Sequence, residues 1–113
     1  MLTSVVIPTH DRRGLVRTAV ASVLSQANVD LELIVVDDGS TDGTAAALEA
    51  EFGAAIKVLR TPNRGVAAAR NTGVAHSSGA WIAFLDSDDA WLPGKLAAQC
   101  ALCLLYTSPS PRD

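Results

Sequence analysis

Four short apolar runs alternate with segments of helical spacing, and this alternation constrains the fold more than any other feature of the sequence. The runs are rich in β-branched and large apolar residues and lie at 3–8, 31–36, 56–59 and 81–85. Between them, apolar residues or alanines recur at helical spacing over 14–27, 41–52 and 65–76. Such alternation predicts parallel strands joined by right-handed helical crossovers. We therefore expect an α/β fold: a Rossmann-like, mostly parallel sheet with helices on both faces.

A further helix is predicted from Trp91 to Leu102, with Pro93 in its first turn. The helix over 41–52 is expected to begin near Ser40 or Asp42, because short polar side chains are typical of helix starts. The chain of 113 residues has room for one modest domain.

Charge and hydropathy exclude several classes of partner. The formal net charge is −3 and the basic residues are scattered, whereas nucleic-acid binding needs a concentrated basic face. No run reaches the roughly 18 apolar residues of a membrane span, and the N-terminus lacks the pattern of a secretory signal. We expect a cytoplasmic protein, compatible with peripheral attachment to the inner face of the membrane in the full-length protein.

Polar residues gather where the predicted strands end. Thr9, His10 and Asp11 follow the first strand, Asp37 and Asp38 end the second, and the acidic run 86–89 follows the fourth. Ligands of parallel sheets bind in the crevice outside the carboxyl ends of the strands. The sequence therefore predicts a ligand site at this edge.

Asp86 and Asp88 are the candidate metal ligands. Two carboxylates one residue apart can face the same crevice, and Mg²⁺ or Mn²⁺ is commonly held by one or two carboxylates and by substrate phosphates. In the run 37–40, one carboxylate could accept hydrogen bonds from a nucleobase or a ribose, while the other caps the following helix. Arg70 could reach a diphosphate or lie exposed on its helix. His10 and His76 are interpreted as structural or surface residues.

Four segments of this chain resemble the family-2 glycosyltransferases of GT-A fold, in the family's order and spacing. They are the segments 5–12 (VVIPTHDR), 36–42 (VDDGSTD), 63–71 (NRGVAAARN) and 84–89 (FLDSDD). The resemblance covers roughly residues 3 to 102. His10 and Asp11 depart from it, since the family often has Tyr-Asn there.

The resemblance implies inverting transfer of a sugar from a nucleotide diphosphate sugar, most simply a UDP-sugar, to a hydroxyl of an acceptor glycan or glycolipid. It places Pro8, Thr9 and Asp11 in the nucleotide pocket, Asp38 on the base and Arg70 near the nucleotide. Asp86 would face the ribose or the metal, and Asp88 would coordinate the metal. The catalytic base of the family is a carboxylate beyond the metal motif, so we expect it outside this chain.

The last residues, 103–113, do not continue the pattern. Back-translated codon by codon, they resemble the adapter of transposase-based sequencing libraries, so we interpret them as a non-native tail; the alternative is a native Ser/Pro-rich linker. Residues 1–102 would then be the nucleotide-sugar-binding part of a longer enzyme. The pair Cys100 and Cys103 would be accidental, and its simplest interpretation is free thiols.

Two other hypotheses remain open from the residues. A two-component receiver domain also has an acidic pair after one strand and a phosphoacceptor Asp after a later one, although the strand 3–8 would then be an extra unit. The second hypothesis is an inert piece of a larger enzyme, because a sheet without its neighbouring strands exposes an edge.

Overall fold

A parallel sheet of four strands with helices on both faces forms the part of the chain that the computed structural model describes, residues 2–26, 29–92, 94–95 and 97. The strands are β1 (Thr3–Thr9), β2 (Leu31–Asp38), β3 (Lys57–Thr61) and β4 (Trp81–Phe84). The helices are α1 (Arg13–Leu24), α2 (Thr44–Phe52) and α3 (Val66–Ala75), and a 3-10 turn, Gly53–Ala55, follows α2. The strand order is β3-β2-β1-β4, with every neighbouring pair parallel. The predicted α/β class is confirmed.

Successive residues of the two central strands point to opposite faces of the sheet. Val5 and Ile7 of β1 pack in one core with α1 and α2, whereas Val6 packs in a second core with Ala69 of α3. All three β1 residues are fully buried. Because both faces are covered, β1 and β2 read as continuous apolar runs rather than as alternating ones.

Helix α2 begins three residues later than Thr41, where the sequence predicted it. The backbone N–H of Thr41 donates to the Asp11 carboxylate at 2.7 Å, and Asp42 Oδ1 accepts the N–H of Thr44 at 3.1 Å. Asp42 therefore stands near the helix start, as expected. Hydrogen bonds from Thr44 and from the backbone of Arg13 lower the pKa of the Asp42 carboxyl.

Several sequence-based expectations fall outside the described residues. They concern most of the predicted helix 91–102, the pair Cys100 and Cys103, and the tail 103–113. The division of the chain at residue 102 stays a prediction.

The Glu32 carboxylate links several segments at the amino edge of the sheet, opposite the predicted site. Its carboxylate accepts the backbone N–H of Ser78 at 2.6 Å, the Ser78 hydroxyl at 3.0 Å and the Ser4 hydroxyl. The carboxylate thereby joins β1, β2 and the connection that leads into β4. Partial burial raises the pKa of Glu32, but these hydrogen bonds outweigh it and hold the pKa below its usual value.

Glu32→Gln is expected to lower the free energy of unfolding at pH 7 by about 1–2 kcal/mol, because a charged acceptor of several hydrogen bonds is lost. A carboxyl group whose pKa is lowered by folding stabilises the folded state at pH values above its unfolded pKa of about 4.3. This stabilisation is lost as the pH falls through the folded-state pKa. Urea denaturation at pH 7 and at low pH should therefore show that the difference in unfolding free energy between the unmodified chain and Glu32→Gln shrinks on acidification. Glu49→Gln, in an exposed ion pair with Arg60, is the control with a small effect; a Glu32→Gln difference independent of pH contradicts the assignment.

Candidate functional site

The carboxyl edge of the sheet holds an open cavity of about 320 Å³, within the range of about 300–1,000 Å³ usual for small-molecule sites. Its lining comes from the ends of β1, β2 and β4 and the start of α3. The lining residues are Pro8, Thr9, His10, Arg12, Asp38, Val66, Asp86, Ser87 and Asp88. The ligand site predicted at this edge has a matching cavity.

The loop between β1 and α1 is fixed to the loop between β2 and α2. Asp11 adopts a positive φ of 49°, which Asp tolerates better than most residues. Its backbone N–H donates to the Ser40 hydroxyl at 2.8 Å, and its carboxylate accepts the Thr41 N–H. Asp11 therefore lies beside the cavity and holds its rim, but it is not among the residues that line it.

His10 stands at the same rim, between two acceptors. Its Nδ1 lies 2.7 Å from the backbone oxygen of Asp38 and its Nε2 lies 3.2 Å from the Asp11 carboxylate. Nδ1–H donates to the carbonyl in this arrangement. His10 thus connects the ends of β1 and β2, which agrees with its interpretation as a structural or surface residue. It also lines the cavity, which was not predicted.

The two carboxylates at the end of β2 have different partners. Asp37 Oδ1 accepts the N–H of Ser40 at 3.0 Å, which closes the turn after β2. Asp38 accepts the N–H groups of Arg64 and Gly65 at 2.8 and 3.0 Å, one on each oxygen. Asp38 thereby fixes the start of α3 rather than that of α2. Each of its oxygens keeps a second lone pair for a ligand.

Thr9 lines the cavity and carries a hydroxyl that the described residues leave unpaired. Its Oγ1 is buried and has no hydrogen-bond partner within the described ranges. Buried hydroxyls are normally paired, so an unpaired one calls for a bound water or ligand. Because Oγ1 is enclosed, a ligand in the cavity could become that partner only if the side chain turned toward it.

The turn after β4 presents three acids. Ser87 is buried while Asp86, Asp88 and Asp89 are exposed, and Asp86 and Asp88 both line the cavity; their role as metal ligands stays a prediction. Oxygens of the three carboxylates lie within 4.8 Å of one another. An all-oxygen donor set of this kind suits hard cations such as Mg²⁺ and Mn²⁺.

Two arginines from other elements are paired with this turn. Arg12, just after β1, places Nη1 3.3 Å from Asp88 Oδ2, and Arg70 of α3 places Nη2 3.2 Å from Asp86 Oδ1. Arg70 also lies over the ring of Phe84, 5.8 Å from its centroid. Arg12 was not singled out from the sequence, although it directly follows the polar run 9–11.

The structure brings most of the predicted site residues together. Pro8, Thr9, Asp38, Asp86 and Asp88 line one cavity. Arg70 reaches it through Asp86 and lines the neighbouring depression with Phe84 and Trp91. His76 lies away from it on the exposed end of α3 and contacts the Thr72 carbonyl, as expected for a surface residue.

Comparisons with known proteins agree with this arrangement. The family model described as "Glycosyl transferase family 2" matches residues 4–102. A relative from Escherichia coli, "UDP-Glc:alpha-D-GlcNAc-diphosphoundecaprenol beta-1,3-glucosyltransferase WfgD", is 38% identical over 104 residues, 91% of this chain and 41% of the relative.

Solved structures share the fold. TarS of S. aureus in complex with UDP-GlcNAc superposes with a TM-score of 0.84 and 26% identity, over 95% of this chain and 32% of that one. The mannosyltransferase PcManGT from Pyrobaculum calidifontis, in complex with GDP-Man and Mn²⁺, gives a TM-score of 0.80 and 29% identity, over 89% and 32%. The chain thus spans about two fifths of the E. coli relative's length and about a third of each solved chain.

Proposed function

The chain belongs to glycosyl transferase family 2, and from that membership we propose that it is the donor-binding part of an inverting, metal-dependent glycosyltransferase. The enzyme transfers a sugar from a nucleotide diphosphate sugar, most simply a UDP-sugar, to an acceptor hydroxyl. The observation that carries the proposal is the cavity shared by Thr9, Asp38 and the two carboxylates Asp86 and Asp88. Family membership also favours this hypothesis over the receiver domain.

The nucleotide would lie along the carboxyl ends of β1 and β2. Pro8 and Thr9 form the wall, and the buried Thr9 hydroxyl could pair with a polar group of the nucleotide after a turn of its side chain. Asp38 would accept a hydrogen bond from the base through a lone pair that the backbone of α3 does not use. Asp11 supports this pocket from the rim, through the loop contacts that hold His10 and Thr41.

Asp88, with Asp86, would hold the Mg²⁺ or Mn²⁺ ion, and Asp86 could instead face the ribose. The three oxygen donors of the acidic turn fit such an ion, and PcManGT was solved with Mn²⁺. When bound, the ion supplies Lewis-acid neutralisation of the charge on the leaving diphosphate. The base that deprotonates the acceptor hydroxyl would be a carboxylate well beyond the metal motif, as the resemblance to the family implies.

The acceptor is proposed to be a glycan or glycolipid of the cell envelope. The E. coli relative is named for a diphosphoundecaprenol-linked sugar acceptor and a UDP-Glc donor. Among the described residues, none of the helices combines the length and the apolarity of a bilayer span. We place the enzyme at the cytoplasmic side of the membrane, where a nucleotide sugar and a lipid-linked acceptor can meet.

The proposal predicts that UDP and Mn²⁺ together raise the melting temperature of the chain. At about a hundredfold excess over Kd, a ligand specific to the folded state stabilises by about 2.7 kcal/mol, on the order of 10 °C for a domain of this size. Asp88→Asn is expected to abolish the shift, since the ion loses a carboxylate. Differential scanning fluorimetry with UDP alone, Mn²⁺ alone and both provides the measurement.

Asp30→Asn, which removes an exposed acid before β2, is the matched control and should keep the full shift. A cooperative melt whose midpoint does not shift with UDP or GDP, with either metal, would contradict the proposed donor site. No cooperative melt would favour the inert-piece hypothesis, in which the function belongs only to a longer enzyme.

A further inference from the structure

Arg12 and Arg70 converge on the acidic turn 86–89 from two different elements, and each occupies one of the carboxylates proposed for the metal. We propose that the two arginines are resident counter-ions: they neutralise the acidic turn in the absence of a cation, and they transfer to the donor diphosphate when a cation takes the carboxylates. The inference rests on the proposed function and adds a role for Arg12 and a cause of coupled binding of cation and nucleotide.

The charges of the acidic turn and of the two arginines partly cancel. Three carboxylates with oxygens within 4.8 Å of one another repel each other, and two guanidinium groups reduce the local charge from −3 to −1. A divalent cation on the same oxygens would stand beside both guanidinium groups, and the repulsion between like charges opposes its binding. Cation and arginines therefore compete for Asp86 and Asp88.

The diphosphate resolves this competition. It brings negative charge to the space between the arginines and the acidic turn, so displaced guanidinium groups would gain a new partner while Asp86 and Asp88 would hold the cation. Cation and nucleotide must then bind with positive coupling, and by linkage each strengthens the other by the same factor.

The geometry allows the two arginines to change partners at little cost. Both ion pairs are about half exposed, with side-chain exposures of 47% and 54% for Arg12 and Asp88 and of 41% and 58% for Arg70 and Asp86. Exposed ion pairs contribute little stability, so breaking them costs little. Arg12 itself lines the cavity, and its head group need not travel far.

Arg70 also has a side-chain donor without an acceptor among the described residues. Its Nε is buried and has no hydrogen-bond acceptor within the described part of the chain, while Phe84 supports its guanidinium. A buried, unpaired donor is costly. Pairing Nε with a phosphate oxygen would require the guanidinium group to shift, which release from Asp86 would allow.

The test measures Mn²⁺ binding without nucleotide, from the electron paramagnetic resonance signal of free Mn²⁺. We expect Arg12→Ala and Arg70→Ala each to tighten Mn²⁺ binding by about three- to tenfold, because a nearby positive charge is removed. In saturating Mn²⁺, the same variants should weaken UDP binding by about tenfold, as expected for one lost charge-assisted contact to phosphate. The two effects have opposite signs, which a general loss of structure does not produce.

Three further variants complete the design. Arg17→Ala removes an arginine paired with Glu51 at 2.6 Å, outside the cavity, and should change neither affinity. Arg12→Lys and Arg70→Lys keep the charge and should keep Mn²⁺ binding near that of the starting chain, so they also serve where an alanine variant folds poorly.

The outcomes separate the two proposals. If the unmodified chain binds UDP only with Mn²⁺ but the alanine variants bind free Mn²⁺ no more tightly, the counter-ion inference is overturned and the donor site stands. If the unmodified chain binds neither Mn²⁺ nor UDP nor GDP, both are overturned. Tighter Mn²⁺ with undiminished UDP binding would overturn the transfer of the arginines to the diphosphate.

Discussion

Gly73→Ala is expected to lower the free energy of unfolding by about 3 kcal/mol, at the upper end of the usual cost of overpacking a core. Gly73 lies on the face of α3 that packs on β1. A Cβ there would collide with both methyl groups of Val6, with Cγ2 only 3.1 Å away and Cγ1 closer still. Val6, on the face of β1 that packs against α3, is fully buried, so it has no room to withdraw. The helix would have to move off the sheet.

Gly14→Ala is the matched control for this substitution. Gly14 lies in the first turn of α1, and nothing surrounds the position of a new Cβ within 4 Å. Alanine is favoured over glycine in helices by up to about 1 kcal/mol, so this variant should be slightly more stable. Urea denaturation of both variants gives opposite signs if α3 packs as described.

A double variant tests the named contact. Val6→Ala removes the methyl groups that the Cβ added by Gly73→Ala would meet. The substitution in α3 should therefore cost clearly less in that background, with a coupling of about 1–3 kcal/mol. Equal stability of Gly73→Ala and Gly14→Ala, or additive effects in the double variant, would contradict the close approach of α3 to β1.

The fold was predictable because its signals are local. The apolar runs that became β1 and β2 and the helical spacing of α1 and α3 can be read within windows of about ten residues. Right-handed crossovers then limit the topology. With the order β3-β2-β1-β4, the chain moves away from β1 in one direction for two strands and returns to its other side for β4. The cavity lies at this reversal, where parallel sheets commonly bind ligands.

The contacts that complete the site were not predictable in the same way. Asp38 meets the N–H groups of Arg64 and Gly65 across 26 and 27 positions of sequence. Arg12 meets Asp88 over a still longer separation. Such pairs depend on how loops leave different strands, which no local pattern encodes. The sequence therefore indicated the acids at the strand ends but not their partners. The roles it suggested for Asp38 were a contact with a nucleobase or the capping of the following helix.

Asp38→Ala is expected to lower the free energy of unfolding by about 3 kcal/mol or more, because hydrogen bonds to a charged acceptor are worth about 1.5–3 kcal/mol each. The residue is 5% exposed, and its carboxylate accepts two backbone N–H groups at the start of α3. Asp37→Ala is the matched control: it is buried to the same extent and accepts one N–H, that of Ser40. It should cost roughly half as much.

Ligand binding separates the structural role of Asp38 from its proposed contact with the base. With Mn²⁺ present, calorimetry should show that Asp38→Ala weakens UDP binding at least about tenfold, as expected for a lost hydrogen bond to a charged group, and leaves pyrophosphate binding nearly unchanged. Pyrophosphate has no base to lose contact with, whereas a disordered α3 start would weaken both ligands. Equal losses for the two would show that Asp38 acts only by holding α3. Asp38→Asn, which keeps one acceptor oxygen for the backbone, repeats the comparison in a more stable background.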